Sequence, residues 1–163
     1  MTEKKIIWIT GASSGIGKAL AIKFAEKGWT VVASARREGL LEDLNKSNSN
    51  IYSFPLDVTE IENCKLVANK IIEKFGGIDL CVFGTGMHDP KSEKRFNLKK
   101  IREIMEVNYF GTMNSINSIY EYFSKKKNGH ISIISSVAGY RGLPAAGAYC
   151  ASKAALTSYA ESL

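Results

Sequence analysis

Thr10-Gly11-Ala12-Ser13-Ser14-Gly15-Ile16-Gly17 places three glycines in eight residues, directly after the apolar run Ile6-Ile7-Trp8-Ile9. A run that is apolar at every position suits a strand buried on both faces. Behind the glycines, Ile16, Leu20 and Phe24 recur every fourth residue with Ala19 between them, so a helix opens within the turn. Such a strand–turn–helix aims free backbone N–H groups and the positive end of a helix dipole at one point, which suits an anion and above all a phosphate. Gly11 permits the turn, Gly15 lets a phosphate reach the backbone, and Gly17 lets the helix close on the strand. The spacing Gly-x-x-x-Gly-x-Gly is neither Gly-x-Gly-x-x-Gly nor a P-loop, since no Gly-Lys-Ser/Thr follows.

Working outward, strand and helix signals alternate. Strands are expected at Thr30 to Ser34, Ile51 to Leu56, Asp79 to Phe83 and His130 to Ser135. Helices are expected over Gly39 to Leu44, from an N-cap at Thr59 to Phe75, and along a stripe from Leu98 through Met105, Asn108 and Thr112 to Phe123. A last helix is still running at Leu163. This is the pattern of parallel βαβ units, an α/β doubly wound sheet. With 163 residues, 45% of them hydrophobic, and no linker or repeat, residues 1–163 read as a single domain.

Composition narrows the function classes. No apolar run approaches the eighteen or so residues of a membrane span, and Met-Thr-Glu-Lys-Lys lacks the apolar stretch of a signal peptide, so a cytoplasmic protein with no membrane partner is expected. Three cysteines without Cys-x-x-Cys spacing fit a reducing compartment and no metal site. The net charge of +6 comes from scattered lysines, from Lys91 to Lys100 and from Lys125-Lys126-Lys127 beside the turn Asn128-Gly129. No aromatic residues interleave with that triplet, so a solvated surface explains it better than nucleic-acid binding.

Ligands of doubly wound sheets lie beyond the carboxyl ends of the strands. That crevice would be lined by Gly11 to Gly17, Arg36-Arg37, Asp57-Val58, Gly84-Thr85-Gly86 and residues from Ser136 onward. An acidic residue after the second strand favours NAD; here Ala35 is followed by Arg36 and Arg37, whose guanidinium groups suit the 2′-phosphate of NADP(H) and leave NAD(H) the weaker choice. Asn108 sits on an apolar stripe, where a buried amide needs partners. Tyr149 and Lys153 stand at i, i+4, one above the other. Phenol chemistry near neutrality needs a shift of roughly 3 units, about 4 kcal/mol. An ammonium about 4 Å away at an effective dielectric of about 20 supplies roughly that much. Ser136, after the fifth strand, is placed to hold a substrate oxygen. His88 either touches substrate or is merely solvated.

Together these residues resemble the short-chain dehydrogenase/reductase family. The matching motifs are Thr10 to Gly17, Asp57-Val58, Val107-Asn108, Ile134-Ser135-Ser136-Val137-Ala138-Gly139 and Tyr149-Cys150-Ala151-Ser152-Lys153, in the family's order. The resemblance implies a Rossmann-like sheet of order 3-2-1-4-5 and hydride transfer between NADP(H) and a small carbonyl or secondary alcohol. It makes Tyr149 the general acid/base, Ser136 the substrate positioner, Lys153 the nicotinamide-ribose ligand and Asn108 the holder of a relay water, with Asp57 meeting the adenine and Arg36 the 2′-phosphate. Cofactor contacts would come from Gly11, Ser13, Ser14, Gly15, Ile16, Gly17, Arg36, Arg37, Asp57, Val58 and Gly86, together with Tyr149 and Lys153. Two departures stand out. Phe83-Gly84-Thr85-Gly86 replaces the family's Asn-Asn-Ala-Gly, and the family's last two strands and substrate lobe have no counterpart in these 163 residues. The expectation is therefore a C-terminally truncated member of the family, homo-oligomeric if the natural chain is longer. The alternative is a non-catalytic nucleotide-binding module or inactive fragment.

Overall fold

The computed structural model describes residues 4–91 and 94–163; residues 1–3, Ser92 and Glu93 lie outside the described residues. Five parallel strands form one sheet of order β3-β2-β1-β4-β5: β1 Ile6–Thr10, β2 Thr30–Ser34, β3 Ile51–Ser53, β4 Leu80–Phe83 and β5 His130–Ile133. The expected order thus holds. Its reversal between β1 and β4 opens the crevice where the glycine turn leaves the sheet.

Strand β1 shows why its apolar run is continuous. Ile6 and Trp8 join one core, with α3 (Ile61–Phe75) and α5 (Gly111–Lys126); Ile7 and Ile9 join the other, with α1 (Gly15–Glu26) and α2 (Glu38–Ser47). Trp8 is fully buried, meets the Phe83 ring edge-on at 5.7 Å, and donates its indole N–H to Ser34 Oγ at 2.9 Å. The indole therefore enters the core without a stranded donor.

Several expected elements differ in detail. The stripe Ile16, Leu20, Phe24 does mark a helix, but it is not the buried face. Gly17, Ala21 and Ala25 face the sheet, while Ile16 is 63% exposed. A Cβ on Gly17 would collide with the Gly11 carbonyl oxygen, so this close approach admits only the small face. Helix α2 is longer than Gly39 to Leu44. Strand β3 stops at Ser53, although Phe54 and Leu56 still donate to the Ala33 and Ala35 carbonyls; between them Pro55 has no N–H to give. Thr59 does not cap α3. Its N–H and hydroxyl both go to Asp57 Oδ1, at 3.0 and 2.8 Å, and the helix begins after Glu60.

The long apolar stripe is a single helical run in three parts: α4 (Leu98–Met105), a π-helical turn over Glu106–Phe110, and α5. Helix α6 (Gly147–Ser162) leans on α4 and on that turn.

Candidate active site

A cavity of about 350 Å³ lies at the carboxyl ends of the strands. Gly11, Ser13, Ser14, Gly15, Ile16 and Gly17 line one side; Arg36, Arg37, Asp57 and Val58 close one end, and Gly86 stands at the other. These are all the residues the sequence assigned to cofactor contact, apart from Tyr149 and Lys153. Ala35, Leu56, Gly84, Thr85, Val107 and Ile134 complete the wall. Gly11 takes φ +73°, where a Cβ would stand 2.7 Å from the Gly84 carbonyl oxygen. Gly15, at φ +54°, faces open space, with no atom within 4 Å of an added Cβ. The turn is therefore packed tightly at Gly11 and Gly17 and left open at Gly15. The first N–H groups of α1 have no intrahelical acceptor and meet this space.

The two arginines divide their work. Arg37 donates to Ser13 Oγ at 2.9 Å and to Ser14 Oγ at 2.8 Å, so its guanidinium rests on the glycine turn. Arg36, largely exposed, lies 4.0 Å from Asp57 Oδ2, a loose pair worth little in stability. The resemblance singled out Arg36 for the 2′-phosphate, whereas it is Arg37 that lies on the glycine turn. Only the turn of the chain after β2 sends one guanidinium to the serines and the other to Asp57.

Lys153 is buried, 4% exposed, and donates to the Ile134 carbonyl at 2.9 Å. Burial holds its ammonium below the ordinary 10.5. Its Nζ lies 5.8 Å from the Tyr149 ring centroid, and the bond it makes is to backbone, not to the phenol. An added Cβ on Gly86 would sit 3.5 Å from Nζ and 3.6 Å from Asn108 Oδ1, so the cavity's far end abuts both side chains. Lys153 and Asn108 thus pack against the Gly86 wall of the cavity.

Asn108 lies in the π turn and is fully buried. Its Oδ1 accepts the Met87 N–H at 2.7 Å; its Nδ2 donates to the Met87 carbonyl and to Ser152 Oγ, both at 3.0 Å. That hydroxyl donates in turn to the Tyr149 carbonyl at 2.7 Å. The partners a buried amide requires are therefore the loop after β4 and the second turn of α6. The Asn108 side chain is a strut between those two segments.

Tyr149 is half-buried against Ala138, Ala146 and Cys150, and its hydroxyl accepts or donates no hydrogen bond among the described residues. Ser136 Oγ accepts the Ala138 N–H at 3.1 Å, which leaves its own proton for another acceptor. The turn after it packs on α6 so closely that a Cβ on Gly139 would lie 3.0 Å from the Lys153 carbonyl carbon. Ser135 ties the same place from the other side, donating to the Lys153 carbonyl at 3.0 Å. His88 stacks on Tyr149, its ring centroid 4.3 Å away and the two planes 23° apart. No spacing in the sequence announces that contact.

Comparison with known proteins follows the same outline. A family model described as short chain dehydrogenase matches residues 5–163. The mouse dehydrogenase/reductase SDR family member 7 is 31% identical over 166 residues, covering 97% of this chain and 49% of its own. The 3-oxoacyl-[acyl-carrier-protein] reductase of Thermotoga maritima is 35% identical over 156 residues, covering 93% and 63%. Among solved structures, ElxO with NADP bound superposes with a TM-score of 0.86 at 29% identity, over 96% of this chain and 65% of that one. The chain spans about half the length of the mouse relative it matches.

Proposed function

The chain belongs to the short chain dehydrogenase family, and from that premise we propose that it is an oxidoreductase acting between NADP(H) and a small carbonyl or secondary alcohol. The observation that carries this is the cavity at the strand ends, which gathers the open Gly15 and both arginines and has Gly86 on its wall, with Lys153 packed against that glycine.

The residues fit the cofactor. Gly15 leaves room for the pyrophosphate, while Arg37, with Arg36 beside it, offers donors for a 2′-phosphate. Asp57 and Val58 lie where adenine would end. Lys153 has one carbonyl partner and two further N–H donors for the nicotinamide ribose. NADP(H), when bound, supplies or accepts the hydride. Tyr149 gives its hydroxyl proton to the carbonyl oxygen in reduction and takes it back in oxidation. Ser136 holds that oxygen with the proton its own bond to Ala138 leaves available. The Lys153 ammonium, close to the phenol ring, favours the phenolate that follows proton release. ElxO, which carries NADP, supports the choice of nicotinamide, and the paired arginines support its phosphorylated form.

Titration of the chain with NADPH and NADH, followed by nucleotide fluorescence, tests the cofactor. NADPH should bind more tightly by about tenfold or more, and Arg37→Ala should abolish the difference. Turnover on a panel of aldehydes and ketones tests the reaction: Tyr149→Phe should remove it and leave NADPH binding intact. Equal affinity for the two nucleotides would reject the phosphate site, and unchanged turnover in Tyr149→Phe would reject the phenol.

A further inference from the structure

The structure assigns to His88 the positioning of Tyr149: its imidazole, stacked on the phenol, fixes the plane in which the hydroxyl is presented. This inference deepens the oxidoreductase reading and rests on it for its catalytic consequence.

Tyr149 needs such support. No described residue hydrogen-bonds its hydroxyl, and Lys153 reaches no closer than 5.8 Å to the ring centroid. The terminal torsion of a tyrosine is broad, so a phenol without a polar anchor is held only by what packs on its faces. One face carries the His88 ring, 4.3 Å away at 23°. His88 is itself exposed, so its imidazole stands between the phenol and solvent.

The stack is also built from beneath. Asn108 holds both the N–H and the carbonyl of Met87, the residue before His88, at 2.7 and 3.0 Å. The same amide donates to Ser152 Oγ, which donates to the Tyr149 carbonyl. One buried side chain thus fixes the backbone under both rings, which come from segments distant in sequence. A loop residue that happened to touch Tyr149 would not share its anchor.

The chain has two histidines, so ring-proton NMR resolves the question directly. In the wild type one histidine should be shifted upfield and show cross-relaxation to a tyrosine ring. Tyr149→Leu should return it to an unstacked position and leave His130 where it was. Tyr149→Phe should retain the shift. A His88 signal indifferent to Tyr149→Leu overturns the stack. For function, His88→Ala should lower kcat about tenfold with the KM for NADPH unchanged, and His88→Phe, which keeps a flat ring, should recover most of the loss. Turnover in His88→Ala equal to wild type overturns the positioning role. So does a loss in His88→Phe as deep as in His88→Ala, which would give the role to the imidazole's protons. A wild-type chain that reduces no carbonyl rejects the oxidoreductase reading instead. The Tyr149 ring resonances then decide on His88 alone: they should move in His88→Ala and stay near their wild-type positions in His88→Phe, and ring signals unmoved in His88→Ala overturn the inference.

Discussion

Lys153 is charged in water at neutral pH, yet here it is buried with a single carbonyl for company. Burial disfavours the ammonium and lowers its pKa from 10.5. The sign of the consequence follows from linkage. Between the depressed folded value and 10.5 the unfolded chain binds the proton that the folded chain has released, so stability rises with pH across that window. Lys153→Met abolishes this contribution. Urea denaturation of both proteins at stepped pH should therefore show the difference moving in favour of the wild type as pH climbs toward 10.5. A constant difference would mean the ammonium is as well solvated folded as unfolded. The same poor solvation is what makes the group useful, since two of its donors remain for a ligand oxygen.

At the scale of elements, the glycine turn separates two kinds of demand. Gly11 and Gly17 meet backbone: the Gly84 carbonyl at 2.7 Å for the first, the Gly11 carbonyl for the second. Gly15 shares the left-handed φ of Gly11 but meets nothing. Gly11→Ala and Gly17→Ala should each cost about 3 kcal/mol or more, from overlap that neither strand nor helix can relieve. Gly15→Ala should cost about 1–2 kcal/mol, the price of a left-handed alanine, while weakening NADPH binding out of proportion. Chemical denaturation beside nucleotide titration separates the two effects. A Gly15→Ala protein that unfolds as readily as Gly11→Ala would place Gly15 in the packing and not in the site. The π turn at Glu106–Phe110 is a second such device. Its extra residue shifts the register between α4 and α5 and goes with Asn108 reaching Met87 and Ser152 while Val107 lines the cavity.

Across the whole molecule, the sheet is clothed unevenly. Beside α1 a groove of about 730 Å³ runs over β4 and β5, with Leu20, Phe24, Trp29, Leu80, Val82 and Ile134 on its apolar side and Lys5, Asp79, Asn128, His130 and Ser132 among its polar lining. A parallel sheet wants both faces covered, and the exposed apolar side of this groove promotes association. The 163-residue chain should bind the dye ANS while folded and self-associate at high concentration. Leu20→Lys should reduce both at a stability cost of about 0.5 kcal/mol; sedimentation unchanged by that substitution would show the groove is not the sticky surface. Much of this molecule was legible beforehand. The apolar run of β1, the glycine turn and the alternation of elements follow from local rules, because backbone sterics and side-chain period act within a few residues; the strand order came from the family resemblance. Other features belong to tertiary structure. Periodicity announced α1 but not its buried face, which the contact of Gly17 with Gly11 selected. The polar position of Asn108 was visible, but its partners at Met87 and Ser152 come from segments 21 and 44 residues away. Arg37 on Ser13 and Ser14, and His88 on Tyr149, are likewise meetings of distant segments, and only the packing of helices on a shared sheet decides which side chains come within reach.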